Sequence, residues 1–323
     1  MDLSSAWAIA REARVSWVLL ALALAVAGRL FAAFRWYLLV SPGNPACRFR
    51  TIVRLVFVTT LIGMFIPGGG MGGTALRVYG LTRSVSDLAL SFASVLVEGV
   101  LAMTALILLV LVGLLFAPPG LPEALPIVAA IGLFFVFAGS VAIVHPLPRR
   151  IGARLLQALH LGAIQKRIER FYAALDLYKA RPSIIGWSVL VAFGAVIFRI
   201  LPTVVLAQAF GLDIALVHFA IFLPVIQFIA QLPVSVGGLG VRETAFVALF
   251  ALVGVPGESA FTLSLAVYLV TVLSATPGAW FYVRGGIGPE STRPVSGPDA
   301  AGLGTAARTA EGNRAVTGRH DLK

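Results

Sequence analysis

The sequence predicts an all-α polytopic membrane protein with about five full transmembrane helices plus two re-entrant helical hairpins that form an inverted-topology pair. Composition carries the first part: 59% of the 323 residues are hydrophobic and only 12% are charged, against about 25% charged in a typical soluble domain. Apolar runs long enough to cross a bilayer carry the second. The third observation is a pair of shorter apolar runs, each broken by a proline and a glycine cluster and followed by an arginine. These read Ile66-Pro67-Gly68-Gly69-Gly70-Met71-Gly72-Gly73-Thr74-Ala75-Leu76-Arg77 and Leu232-Pro233-Val234-Ser235-Val236-Gly237-Gly238-Leu239-Gly240-Val241-Arg242-Glu243. Broken hydrophobic segments at corresponding places in two halves of a chain point to a site inside the membrane.

The first run, Val15 to Val40, follows Arg11 and Arg14 and resembles a signal peptide at its start, with Ala25-Val26-Ala27 as a mock cleavage site. Its apolar pattern continues past Arg29 through Phe31 and Trp36, too long for a signal core, so it is read as a retained helix. Arg29 and Arg35, near its end, are expected to snorkel to the interface or mark where the span stops. Four further runs are long enough to span: Asp87 to Phe116, Pro126 to His145, Ile184 to Phe210 and Ala260 to Val283. Ile52 to Ile66 would reach only about 22 Å as a helix before Pro67 stops it, and Val217 to Leu232 is similarly short.

Charge orients these elements. Between positions 149 and 181 stand Arg149, Arg150, Arg154, Lys166, Arg167, Arg170, Lys179 and Arg181 against Glu169 and Asp176, so this loop is expected to be cytoplasmic. The loops near Glu123 and Asp213 are then external. Counting back, both ends of Ile52 to Leu81 fall on the cytoplasmic face, which makes that segment a hairpin that dips in and returns. Val217 to Val253 begins and ends outside. Parity leaves open whether it re-enters or crosses twice, and the motif similarity favours re-entry from the opposite face. Arg11 and Arg14 then lie outside, a local exception to the charge rule. Ala163 to Tyr178 has Ile164, Ile168, Phe171, Leu175 and Tyr178 at helical spacing. That suits either an amphipathic helix on the inner leaflet or a connecting helix packed on the bundle. Residues 1–283 thus form the membrane domain, and 284–323, rich in Gly, Ala, Thr and Pro, are expected to be a disordered cytoplasmic tail.

Net charge is +11, but the basic residues lie between apolar runs and no polar domain remains to carry nucleic acid, so no nucleic-acid partner is expected. The lone Cys47 excludes an internal disulfide or a multi-thiolate metal site. His145, His160, His218 and His320 lack ligand spacing, and there is no nucleophile elbow, Walker loop or HExxH pattern. No cofactor, metal or catalysis is expected.

Candidate site residues cluster at the two motifs. Gly69, Gly70, Gly72 and Gly73, like Gly237, Gly238 and Gly240 after Pro233, would leave amides at a half-helix N-terminus that attract phosphate, or would simply let helices pack closely. Arg77 and Arg242 follow each cluster and add charge-assisted bonds. Glu243 sits in a first helical turn, suited to capping or to an arginine. Glu98 and Arg199 lie deep in long apolar runs, where an ionisable group costs about 2.5–3.5 kcal/mol and normally faces the bundle interior. They are expected to pair with each other or with the hairpins. Gln208, Gln227 and Gln231 suit the same polar path or interhelical hydrogen bonds.

At these motifs the chain resembles the transmembrane domain of the lysylphosphatidylglycerol synthase family, the flippase-like membrane part of multiple peptide resistance factors and their stand-alone relatives. The resemblance runs over about Phe31 to Val283 and is closest at Leu232 to Glu243, with Pro67 to Leu81, including Arg77 and Tyr79, as the second match. Thr74 and Gly99 depart from the family pattern, and a first helix of many relatives is not seen. The resemblance implies a multi-pass protein of the cytoplasmic (inner) membrane that moves or presents an anionic or modified lipid. Its partner would be a membrane phospholipid or lipid-linked substrate. The competing expectations are a membrane-embedded transferase on such a substrate, and a scaffold for a partner enzyme or homo-oligomer.

Overall fold

A computed structural model describes residues 14–66, 70–116, 126–127, 130–134, 138–139, 162–230, 238 and 240–287. The chain divides into residues 1–288 and 289–323, and the second part lies outside the described residues, as does the expected tail apart from 284–287. Every described element is a helix. In chain order they are α1 (Val15–Val40), α2 (Phe49–Gly63), α3 (Gly70–Val85), α4 (Leu88–Leu115), α5 (Gly162–Lys179), α6 (Pro182–Ala209), α7 (Leu216–Ala230), α8 (Val241–Ala251), α9 (Gly257–Ala275) and α10 (Pro277–Gly285).

Among the described residues four helices are long and apolar enough to cross a membrane: α1, α4, α6, and α9 with α10 taken together. Asp87 starts α4 by accepting the Leu90 amide at 3.0 Å, one of the donors a helix start otherwise leaves unpaired. α9 passes into α10 through Thr276, itself helical, while Pro277 lacks the amide that would continue the ladder. The expected span Pro126 to His145 falls largely outside the described residues; its helical piece 130–134 lies beside α4, where a Cβ on Gly132 would sit 3.3 Å from Ile107.

α1 is the central element. Phe31 stacks on Phe198 at 4.7 Å, Gly28 faces Phe198 and Gly194 faces Phe31, so α1 and α6 run antiparallel with glycines admitting the aromatic rings. Trp36 Nε1 donates to Ser94 Oγ at 3.2 Å, and Arg35 meets Glu98 one turn on, so α1 is antiparallel to α4 as well. That alternation is the one the loop charges require.

The two short segments are helical hairpins. In the first, α2 and α3 pair antiparallel: Gly80 faces Leu55, and a Cβ on Gly63 would come within 2.9 Å of the Gly73 Cα. Gly63 and Gly73 therefore let two backbones touch near the tip. In the second, Phe222 meets Phe250 at 5.4 Å and Gly238 faces Ala230, so α7 and α8 are also antiparallel. The hairpins enter the bundle from opposite ends. The open end of the first packs with Trp36, Val40 and Val95, and the open end of the second packs where Ile221 faces Gly113 at the far end of α4.

The apolar face of α5 is covered by protein. Ala174, Leu175 and Tyr178 bury against Leu39, Ala93 and Val97, and the Tyr178 hydroxyl donates to the Leu39 carbonyl at 2.9 Å. Of the two readings of this helix, packing on the bundle is the one observed.

Candidate functional site

Among α1–α4 and α6–α9 lies a cavity of about 470 Å³. The first hairpin lines it with Thr59, Gly63, Gly73, Thr74 and Arg77, the second with Gln227, Ala230, Arg242 and Phe246, and the long helices with Gly28, Arg29, Phe198, Arg199 and Thr271. Four guanidiniums thus face one space, each carried by a different helix.

Glu98 organises the first group. Its Oε1 accepts from Arg35 at 2.6 Å and its Oε2 from Arg77 at 2.7 Å. Arg35 and Glu98 are 2% and 4% exposed, so this bridge is dry on the α1 side and opens toward the cavity only at Arg77. Arg77 also lies over the Trp36 ring, 5.5 Å from its centre, a cation–π contact that fixes the plane of its fork. The sequence expectation for Arg35, a residue snorkelling to the interface, is corrected here: a full turn from the end of α1, it turns inward because Glu98 offers it a countercharge.

Glu243 organises the second group. One oxygen accepts the Gly240 amide at 2.6 Å and the other accepts Arg242 at 3.0 Å, so capping and ion pairing are combined in one carboxylate. Gly238 and Gly240 have φ of +79° and +83°, the left-handed region where a side chain is strained. The amide of Gly240 is occupied by Glu243 rather than left for an outside anion, and Gly73 serves close packing. Arg242 lies 4.8 Å from the Tyr268 ring centre. Gly70 and Gly72 are within α3. Gly69, Pro233 and Gly237 lie outside the described residues, as does Gln231.

Arg29 and Arg199 complete the lining. Arg29 donates to the Thr271 carbonyl at 2.6 Å and to Ser274 Oγ at 2.7 Å, tying α1 to α9 instead of reaching the interface. Arg199, at mid-span in α6, is exposed, and the space it opens on is the cavity. Among the described residues it makes no hydrogen bond or ion pair: Glu98 pairs with the hairpin and with Arg35, not with Arg199. Arg29 and Arg35 were legible in principle, since each is a charge inside an apolar run, as Glu98 is.

Fold and site together define a multi-pass helical membrane protein with an arginine-lined cavity between its helices. Residues 1–278 match the family model of the lysylphosphatidylglycerol synthase TM region, and the chain belongs to that family. The match begins ahead of Phe31 and so takes in α1. No curated protein and no solved structure matches the chain.

Proposed function

We propose that this protein binds the phosphate of an anionic lipid between its two hairpins and lets the headgroup pass between the leaflets of the cytoplasmic membrane. The observation that supports this most is the convergence of Arg29, Arg77, Arg199 and Arg242 on one cavity. Guanidinium forks hold phosphate with paired hydrogen bonds, and a solvated polar recess removes much of the cost of carrying a headgroup through hydrocarbon. In this reading the hairpins are re-entrant from opposite faces, an inverted-topology pair, and the end of the bundle with Arg48, Arg50, Arg83, Arg181 and Arg284 is cytoplasmic by the charge rule. Glu98 and Glu243 hold their arginines in place. Because both carboxylates are engaged, neither stands ready as a general base, and the transferase reading has less to rest on.

The test is a headgroup-accessibility assay on full-length protein reconstituted with a fluorescent phospholipid, with protein yield measured in parallel. Arg77→Ala with Arg242→Ala should abolish translocation at unchanged yield, and Arg242→Lys should impair it although charge is kept, because the planar fork is lost. Normal translocation by the double variant would overturn the reading.

A further inference from the structure

Charge balance inside the cavity narrows the ligand, on the reading of the cavity as a lipid-phosphate site. The helices that line it carry only three acidic residues, Glu98, Glu243 and Glu258. Glu258 stands in the first turn of α9, about 20 Å along that helix from Thr271 at about 1.5 Å per residue. Residues 67–69 and 231–237 contain no acidic residue. Five arginines, the four lining the cavity and Arg35 behind Glu98, thus share two carboxylates. Three positive charges remain. Arg29 meets only neutral acceptors, and Arg199 meets none among the described residues while opening on the cavity. A guanidinium that stays charged this deep in an apolar protein needs either water or an anion.

We infer that the headgroup this cavity takes is a phosphomonoester or diphosphate, with two or more negative charges on terminal phosphate oxygens, held by Arg199 and Arg29 between the two hairpin arginines. A phosphomonoester offers close to two charges and three strong acceptor oxygens, which three uncompensated forks can share. A phosphodiester brings one charge and leaves two arginines unmatched. An aminoacylated headgroup brings ammonium groups of its own and is repelled.

The full-length protein in detergent, titrated in native mass spectrometry with short-chain phosphatidic acid, phosphatidylglycerol and lysylphosphatidylglycerol, decides this, with inorganic pyrophosphate as the soluble arm. Phosphatidic acid should bind at least about tenfold more tightly than phosphatidylglycerol, a difference of about 1.4 kcal/mol, and the lysyl lipid should bind least. Arg199→Gln and Arg29→Gln should each shrink the gap between the first two lipids, and Arg199→Lys, which keeps the charge and guards against a mere folding defect, should retain most of it. Equal affinity for phosphatidic acid and phosphatidylglycerol would overturn the charge inference while leaving the cavity as a lipid site. Absence of binding by all three lipids would overturn both, and pyrophosphate binding in that case would assign the site to a free anion.

Discussion

Arg77 reaches across from α3 to Glu98 on α4, 2.7 Å apart, and so ties a short helix to one long enough to span. Glu98→Gln keeps the shape and removes the charge, leaving Arg35 buried without a counterion. The expected loss is about 3–5 kcal/mol, read as a lower unfolding temperature of the detergent-solubilised protein. Arg77→Leu leaves the Arg35–Glu98 pair intact and should cost clearly less.

The contact between α10 and α2 depends on the absence of a side chain. A Cβ at Gly278 would collide with the Phe57 carbonyl, whereas one at Gly99 would meet nothing within 4 Å. Gly278→Ala should destabilise by about 1–3 kcal/mol through overpacking, and Gly99→Ala should be neutral or raise stability by up to about 1 kcal/mol through helix propensity. Paired thermal melts check both.

Tyr178 anchors α5 to α1. Tyr178→Phe deletes the bond to the Leu39 carbonyl and should cost about 1 kcal/mol, read as a lower unfolding temperature in detergent.

Cys47 is buried in the turn after α1, and burial pushes its thiol above the ordinary value. The thiolate is the form that alkylates, so at mildly alkaline pH maleimide should label the folded protein far more slowly than the unfolded one. The sign for stability follows: the contribution is full below the ordinary thiol range and is lost as pH rises through the raised value. Equal labelling rates at pH 8 would contradict this. Replacing Cys47 also clears the background for a topology map, in which a single cysteine at the exposed Arg83 should label from the cytoplasmic side.

The long helices were readable in the sequence because hydropathy reports depth, and depth is what a span must satisfy. Val15 to Val40 matches α1 end to end, and Asp87 to Phe116 encloses α4 with Asp87 as its cap. The short helices on either side of each break were readable from length, since the runs around Ile52 and Val217 are too short to span. Hydropathy does not report which way a helix faces, and the reading of Arg29 and Arg35 failed for that reason. The sequence reading placed both arginines toward the end of the first run, although Arg29 lies mid-helix, and the positions of α4 and α9 around α1 turn them inward. The same gap hid the partner of Glu98, since Arg35 and Arg199 are equally plausible by depth. The glycine clusters carried two readings, and the structure adds to the packing one a close approach of Gly63 to Gly73 and, at Gly240, an amide already taken by Glu243.

The bond from Arg29 to Ser274 joins residues 245 apart in the chain, whereas Arg77 and Glu98 are separated by only 21. At about 5–20 residues per second of synthesis, Glu98 follows Arg77 off the ribosome within about 1–4 seconds, while Arg29 waits about 12–50 seconds for α9. The first hairpin can therefore neutralise its charge as it is inserted. Arg29 meanwhile sits in a nascent chain with its acceptors not yet made, so the stretch of translation between α1 and α9 is the interval in which this protein most needs water, lipid phosphate or an insertion factor at its first helix.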